Sequence, residues 1–276
     1  MSTALHALQA LRAVTGRELL KFSRQHGRLA SALVRPLLWL AVFAAGFRNV
    51  FGLAIAEPYD TYTPYDVYIV PGLVGMVLLF NGMQSSLAMV YDREMGLMRL
   101  LLTAPLPRWW LLACKLIATA VLSLAQAAAF LVVAALLGTA IPVWGPQTPA
   151  LLLAAVSSAL MLGALGLLLS VHVRQLENFA GTMNFVIFPM YFMSTALYPL
   201  WKLEESGAAW VFEVARWNPF THAVEWMRFA LYGKDAGWAP LVVLGTLALC
   251  FALAAWGYDP QRGFGALTKR GPGGPA

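Results

Sequence analysis

Charge is scarce in this chain. Only 12% of its 276 residues are Asp, Glu, Lys or Arg, against about 25% in an ordinary soluble domain. So few charges cannot cover a water-facing surface of this size, which excludes a soluble globular fold. Cysteine is scarcer still. Cys114 and Cys250 both stand in apolar runs, where they suit small apolar packing better than a disulfide. The four histidines show no metal-ligand spacing, and no metal site is expected. No short apolar core with a small-residue cleavage site opens the chain, so no signal peptide is expected. No G-x-x-x-x-G-K-[ST] loop occurs, so this chain does not bind nucleotide in that way. No serine–histidine–acid or paired-carboxylate constellation is visible, and no catalytic residue is assigned.

What is abundant is apolar sequence, at 60% of residues. It falls into tracts of roughly 20 residues, enough to cross a hydrocarbon core of about 30 Å. The expected fold is all-α and integral to a membrane, with six spans. They run from about Ala30 to Ile55, Val67 to Val90, Trp109 to Leu137, Pro149 to Val171, Phe179 to Pro199 and Trp238 to Gly257. Residues 1–29 read as an amphipathic interfacial helix, residues 30–257 as the six-span domain and residues 258–276 as a basic, disordered tail. In the first helix Leu8, Leu11, Val14, Leu19 and Phe22 gather on one side at about 100° per residue. Arg17, Lys21, Arg24 and Arg28 gather on the other, and Arg12 is the exception. Pro71-Gly72 invites a kink in the second span. Trp109, Trp110, Trp144, Trp201, Trp238 and Trp256 fall near span ends, as interfacial aromatics do.

The net charge of +6 is better read as membrane orientation than as nucleic-acid binding. With the N-terminus inside, the inner segments hold Arg12, Arg17, Lys21, Arg24, Arg28, Arg93, Arg99, Arg108, Arg174, Arg262, Lys269 and Arg270. The outer segments hold only Arg48, Lys202, Arg216, Arg228 and Lys234. Positive residues favour the cytoplasmic side, so both termini are expected inside. Arg35 stands at the start of the first span, Arg48 near its far end, and Lys115 about two turns inside the third. No acidic residue lies deep in any span, which disfavours a proton-coupled carrier.

The segment Asp92-Arg93-Glu94-Met95-Gly96-Leu97-Met98-Arg99-Leu100-Leu101-Leu102 continues through Thr103-Ala104-Pro105-Leu106-Pro107-Arg108. It resembles the cytoplasmic loop of ABC-2 type exporter permeases, in which a short coupling helix docks on a separate ATPase. A second resemblance lies in Phe188-Pro189, Ser194, Tyr198-Pro199 and Asn218-Pro219-Phe220-Thr221, with Glu225 and Arg228. Thr195 and Ala196 stand where the family usually has glycine after the serine, so local helix geometry there stays open. The combined order resembles the permeases grouped with nodulation-factor and drug exporters.

That resemblance implies several things. Asp92, Arg93, Glu94, Gly96, Arg99, Leu100, Pro105 and Arg108 would form the ATPase-coupling loop, and Arg174 and Glu177 a second cytoplasmic hinge. Asn218, Pro219, Glu225 and Arg228 would belong to a re-entrant outer segment of short helices, with Asn218 as N-cap. The first, second and fifth spans would line a path, with Phe179, Phe185, Phe188, Tyr191 and Phe192 offering an aromatic wall or packing at a dimer seam. ATP and magnesium would be bound by the partner ATPase, not by this chain. The chain would pair with a second permease copy among the lipids of a bacterial inner membrane. The rival reading is a membrane-embedded enzyme or assembly factor without transport.

Overall fold

A computed structural model describes residues 3–24, 33–42, 58–59, 63–95, 107–139, 141–173, 175–205 and 207–258. The described regular elements are helices. They are α1 (Thr3–Arg24), α2 (Leu33–Val42), α3 (Tyr65–Glu94), α4 (Arg108–Leu136), α5 (Thr148–His172), α6 (Leu176–Phe192), α7 (Leu200–Glu205), α8 (Ala209–Trp217), α9 (Pro219–Leu231) and α10 (Ala239–Gly257). Four of them, α3, α4, α5 and α10, are long and apolar enough to cross a membrane. In lipid each backbone polar group must be satisfied within its own segment, and a continuous helix does this.

The six-span expectation is met only in part. Of the first expected span, the described residues contain Leu33–Val42; Arg48 and the rest of that span lie outside them. The fifth expected span ends early. Its helix α6 has 17 residues and stops at Phe192, where the Ser194 hydroxyl donates to the Tyr191 carbonyl at 2.6 Å. The sequence through Pro199 then continues as turns. Pro189 inside α6 already removes one backbone donor. The irregularity in α3 falls at Ile69, just ahead of Pro71 rather than at Pro71-Gly72.

α5 is the central element, packing against α3, α4, α6, α9 and α10. Its small residues permit the close approach. A Cβ added to Gly166 would stand 2.8 Å from the Gly82 carbonyl oxygen of α3. Without a hydrophobic drive between helices in lipid, such small-residue seams supply the packing. Large apolar side chains instead cover the outside: Leu241, Leu244 and Leu249 of α10 are exposed.

Side-chain contacts sort the helix ends. α1, the starts of α4 and α6, and the ends of α3, α5 and α10 share one end of the bundle, here the charged end. The start of α3 and the chain from Met193 to Leu231 share the other, the tyrosine end. Exposed tryptophans mark both, with Trp109 and Trp256 at the first and Trp144, Trp217 and Trp238 at the second. In α1 the packed face differs from the expected one. Ala7, Ala10, Leu11, Val14 and Glu18 are part-buried, while Leu5, Leu8, Leu19 and Leu20 are exposed. The helix therefore has three strips: one packs on α4, one carries exposed leucines and one is basic. That pattern suits a helix lying in an interface.

Candidate functional site

Three groups of side chains stand out from the apolar packing. The first is at the charged end. Asp92 is the buried last-turn carboxylate of α3. Lys115 Nζ of α4 lies 3.3 Å from its Oδ2, and Arg17 Nη2 of α1 lies 3.8 Å from the same oxygen. Lys115 thus reaches back toward this end as expected, and its counter-ion is Asp92. The next two residues span a helix gap. Arg93 donates to the Ser170 carbonyl in the last turn of α5. Glu94 accepts from the Leu176 backbone N–H at 2.8 Å, the first turn of α6. A cation at a helix C-terminus and an anion at a helix N-terminus both complement the helix dipole. Arg93 and Glu94 therefore clip together the end of α5 and the start of α6. Glu177 lies in that same first turn of α6 and is exposed. Arg108 begins α4. Gly96, Arg99, Leu100, Pro105 and Arg174 lie outside the described residues. The Tyr258 hydroxyl is pushed up by burial, with Arg93 and Arg108 opposing.

The second group holds the turns that follow α6. Buried non-helical backbone in a membrane protein survives only where protein satisfies it, and here side chains from other elements do so. Tyr65 donates to Leu197 O at 2.7 Å and Tyr68 to Thr195 O at 3.2 Å. Arg228 Nη2 donates to Thr195 O at 2.8 Å, and its Nη1 meets Glu225. Asn218 Nδ2 donates to both Met190 O and Met193 O at 2.8 Å, while its Oδ1 accepts from Phe220 N at 3.0 Å. Asn218 thereby caps the start of α9 and the end of α6 together, with Pro219 next in line. The Arg228 guanidinium also lies 4.1 Å from the Tyr68 ring centre. Burial pushes the Tyr59 and Tyr232 phenols up, with Arg228 opposing, so both stay protonated beside it.

Asn218→Ala removes a cap and two further donors in one step. An N-cap alone is worth about 1 kcal/mol, and buried carbonyls left without donors add to it. A loss of about 2–3 kcal/mol is expected from these principles together. Thermal unfolding of the purified variant in detergent measures it. Asn218→Asp keeps the cap but not the two donors and is expected to fall between.

The third group lines a cleft. Trp39 of α2 packs edge-on to Tyr191 and Phe192 of α6, with ring centres 6.3 and 5.7 Å apart. Together with Phe188, Asn184, Met76, Phe80 and Arg35 they bound an open cleft of about 170 Å³. A small side pocket of about 20 Å³, room for a water, adjoins it, lined by Arg35, Phe80, Asn81, Gln84 and Gln126. Of the expected aromatic wall, Phe188, Tyr191 and Phe192 meet at the cleft. Phe185 points away and is 79% exposed, and Phe179 is fully buried in packing. Residues 188, 191 and 192 share a face of α6 at about 100° per residue. Sequence reasoning missed Trp39 and Gln126; Arg35, expected at the start of the first span, stands in the first turn of α2 and lines the cleft. Gln126 was detectable as the one amide in the apolar run of α4.

A bundle of apolar helices with an amphipathic helix, charged helix ends on one side and an aromatic cleft between helices defines a polytopic membrane protein. Comparison with known families makes this specific. Residues 9–232 match the family model described as ABC-2 type transporter, and the chain belongs to that family. It is 28% identical over 241 residues to ycf38, a proposed transport permease, of Porphyra purpurea, covering 86% of this chain and 78% of the relative. It is 29% identical over 227 residues to the protein of the same name in Pyropia yezoensis, covering 80% and 74%. The Cyanophora paradoxa protein of that name is 28% identical over 242 residues, covering 85% and 78%.

Proposed function

We propose that this chain is the permease subunit of an ATP-driven exporter and that a separate ATP-binding-cassette ATPase docks on its charged end. The Arg93–Glu94 clip is the observation that carries this reading. It joins the end of α3 to the gap between α5 and α6. A push on the loop from Asp92 to Arg108 would therefore reach α3, α4, α5 and α6 at once. The cleft between α2, α3 and α6 supplies an aromatic surface on which an amphipathic substrate could move. The short helices α7, α8 and α9 would form the outer, re-entrant segment that closes it. The working unit is a dimer of two copies with two ATPases, placed in a bacterial inner membrane with both termini in the cytoplasm. ATP and magnesium would be held by the ATPase.

The test is a mild-detergent purification of the tagged chain. A stoichiometric ATPase with a phosphate-binding loop is expected to accompany it. In the reconstituted complex, Glu94→Lys is expected to leave hydrolysis running while transport falls at least about tenfold, the scale of losing one charge-assisted contact of about 1.4 kcal/mol. Wild-type coupling in that variant would remove the docking role. Reproducible absence of an ATPase from an intact sample would remove the exporter reading.

A further inference from the structure

The cleft and its side pocket share one cation. The Arg35 guanidinium lies 3.9 Å from the centre of the Phe80 ring. Phe80 is near the middle of α3, about 22 Å of helix from Tyr65 and about 21 Å from Glu94 at about 1.5 Å per residue. Arg35 itself stands in the first turn of α2 and is exposed at the open side of the cleft; a permanently charged arginine within a span is costly, and such residues face a cavity and a partner. Among the described residues no carboxylate lies within ion-pair distance of Arg35. Gln126 is 1% exposed, lines the same pocket, and neither its amide nitrogen nor its oxygen has a hydrogen-bond partner. Its neighbour Asn81 is held by Ser123, donating to its hydroxyl at 2.8 Å. Tyr191, lining the larger cleft, likewise has a buried hydroxyl without a partner. Buried polar groups are rarely left unpaired, and each such exception asks for a ligand or water.

We propose that Arg35 and Gln126 form a recognition site for the anionic headgroup of an amphipathic molecule, whose apolar part lies along Trp39, Phe188, Tyr191 and Phe192. The chemistry selects the class. A guanidinium presents a planar fork that fits a phosphate or carboxylate. The Gln126 amide supplies a neutral donor beside it. Among the described residues a single cation lines the two pockets, matching a single negative charge, and no acidic residue lines either to attract a positive one. The aromatic cleft opens directly from the cation, so headgroup and tail are accommodated together. This inference rests on the export reading of the cleft and names the substrate class.

The test uses the full chain with its co-purified ATPase in phosphatidylcholine nanodiscs. Binding of dodecyl phosphate, dodecyl maltoside and inorganic phosphate is measured by thermal shift and by titration. Dodecyl phosphate is expected to bind at least about tenfold more tightly than the other two. Arg35→Gln is expected to lose that preference, and Arg35→Lys to keep part of it, since a point charge remains without the fork. Gln126→Leu guards against a folding artefact because its two effects run in opposite directions. It removes an unpaired buried amide, so the ligand-free protein is expected to melt higher, while dodecyl phosphate binding weakens several-fold. Equal binding of dodecyl maltoside, or unchanged preference in Arg35→Gln, would overturn the anion assignment. Equally tight inorganic phosphate would overturn the amphipathic one. ATPase co-purification is read in the same samples, so failure of the export reading shows separately as its absence.

Discussion

Arg228→Ala is expected to lower the stability of the purified protein by about 3 kcal/mol, near the lower end of the cost of breaking a buried ion pair from one side. Arg228 is 2% exposed, and its Glu225 partner keeps 23% of its side chain in contact with the surroundings. That residual exposure places the expected loss at the low end. Arg228 also donates to Thr195 O and lies against Tyr68, so its removal loosens α9 from both α3 and the turns after α6. Arg228→Lys keeps the charge but not the two-armed geometry and is expected to recover less than half of the loss. Arg216 and Glu213 provide the comparison. They are 4.0 Å apart with over half of each side chain exposed, so Arg216→Ala is expected to change stability by no more than about 0.5 kcal/mol. Thermal melting of the three variants in one detergent measures the contrast. Equal melting temperatures for Arg228→Ala and Arg216→Ala would show that the buried cluster does not hold this end together.

Gly72→Ala is expected to be as damaging, through a different cause. A Cβ at Gly72 would stand 2.7 Å from the Ala196 Cα and closer still to its carbonyl oxygen. These are backbone atoms of the buried turn, already fixed by Tyr65, Tyr68 and Arg228, so they cannot swing aside. Overpacking a tight site costs about 1–3 kcal/mol, and here the strain also pulls on the hydrogen bonds that satisfy the turn. A loss of about 3 kcal/mol is expected. Gly245→Ala in α10 is the matching control. Nothing lies within 4 Å of its added Cβ, so only helix propensity acts and a gain of up to about 1 kcal/mol is expected. A Gly72→Ala protein that melts with wild type would mean that α3 and the turn do not pack this closely.

The two residues also explain what was hidden at this point of the sequence. The resemblance implied a glycine where Thr195-Ala196 stands, and that left the local geometry open. The close approach is present, but its glycine is on the opposite element, at Gly72. A one-dimensional reading sees which residue is small and not which backbone it faces. Arg228 is a comparable case. Its charge counted toward the outer segments, whereas its side chain is among the most buried in the protein.

Other features were legible because they depend on local chemistry. Asn218-Pro219 marks a helix start wherever it is placed, since the amide caps and the proline needs no donor. The ends of α4, α5 and α10 fall within a residue or so of the hydrophobic boundaries, because lipid-length apolar runs have no other way to satisfy their backbone. α6 broke that rule. Its apolar run continues to Pro199, but the helix stops at Phe192 since distant side chains take over the carbonyls that a helix would have satisfied.

By itself, then, the sequence determined that this is a helical membrane protein. It also determined where its long helices lie, that α1 is amphipathic and basic, and which family it belongs to, because each follows from composition, period and the order of local motifs. Only the tertiary structure decided that Arg93 and Glu94 tie the end of α3 to the ends of α5 and α6, that α6 ends in a buried and satisfied turn, and that Arg35 and Gln126 line one pocket. Each of these depends on a contact between residues tens of positions apart, and sequence spacing carries no information about such a contact until the helices have packed.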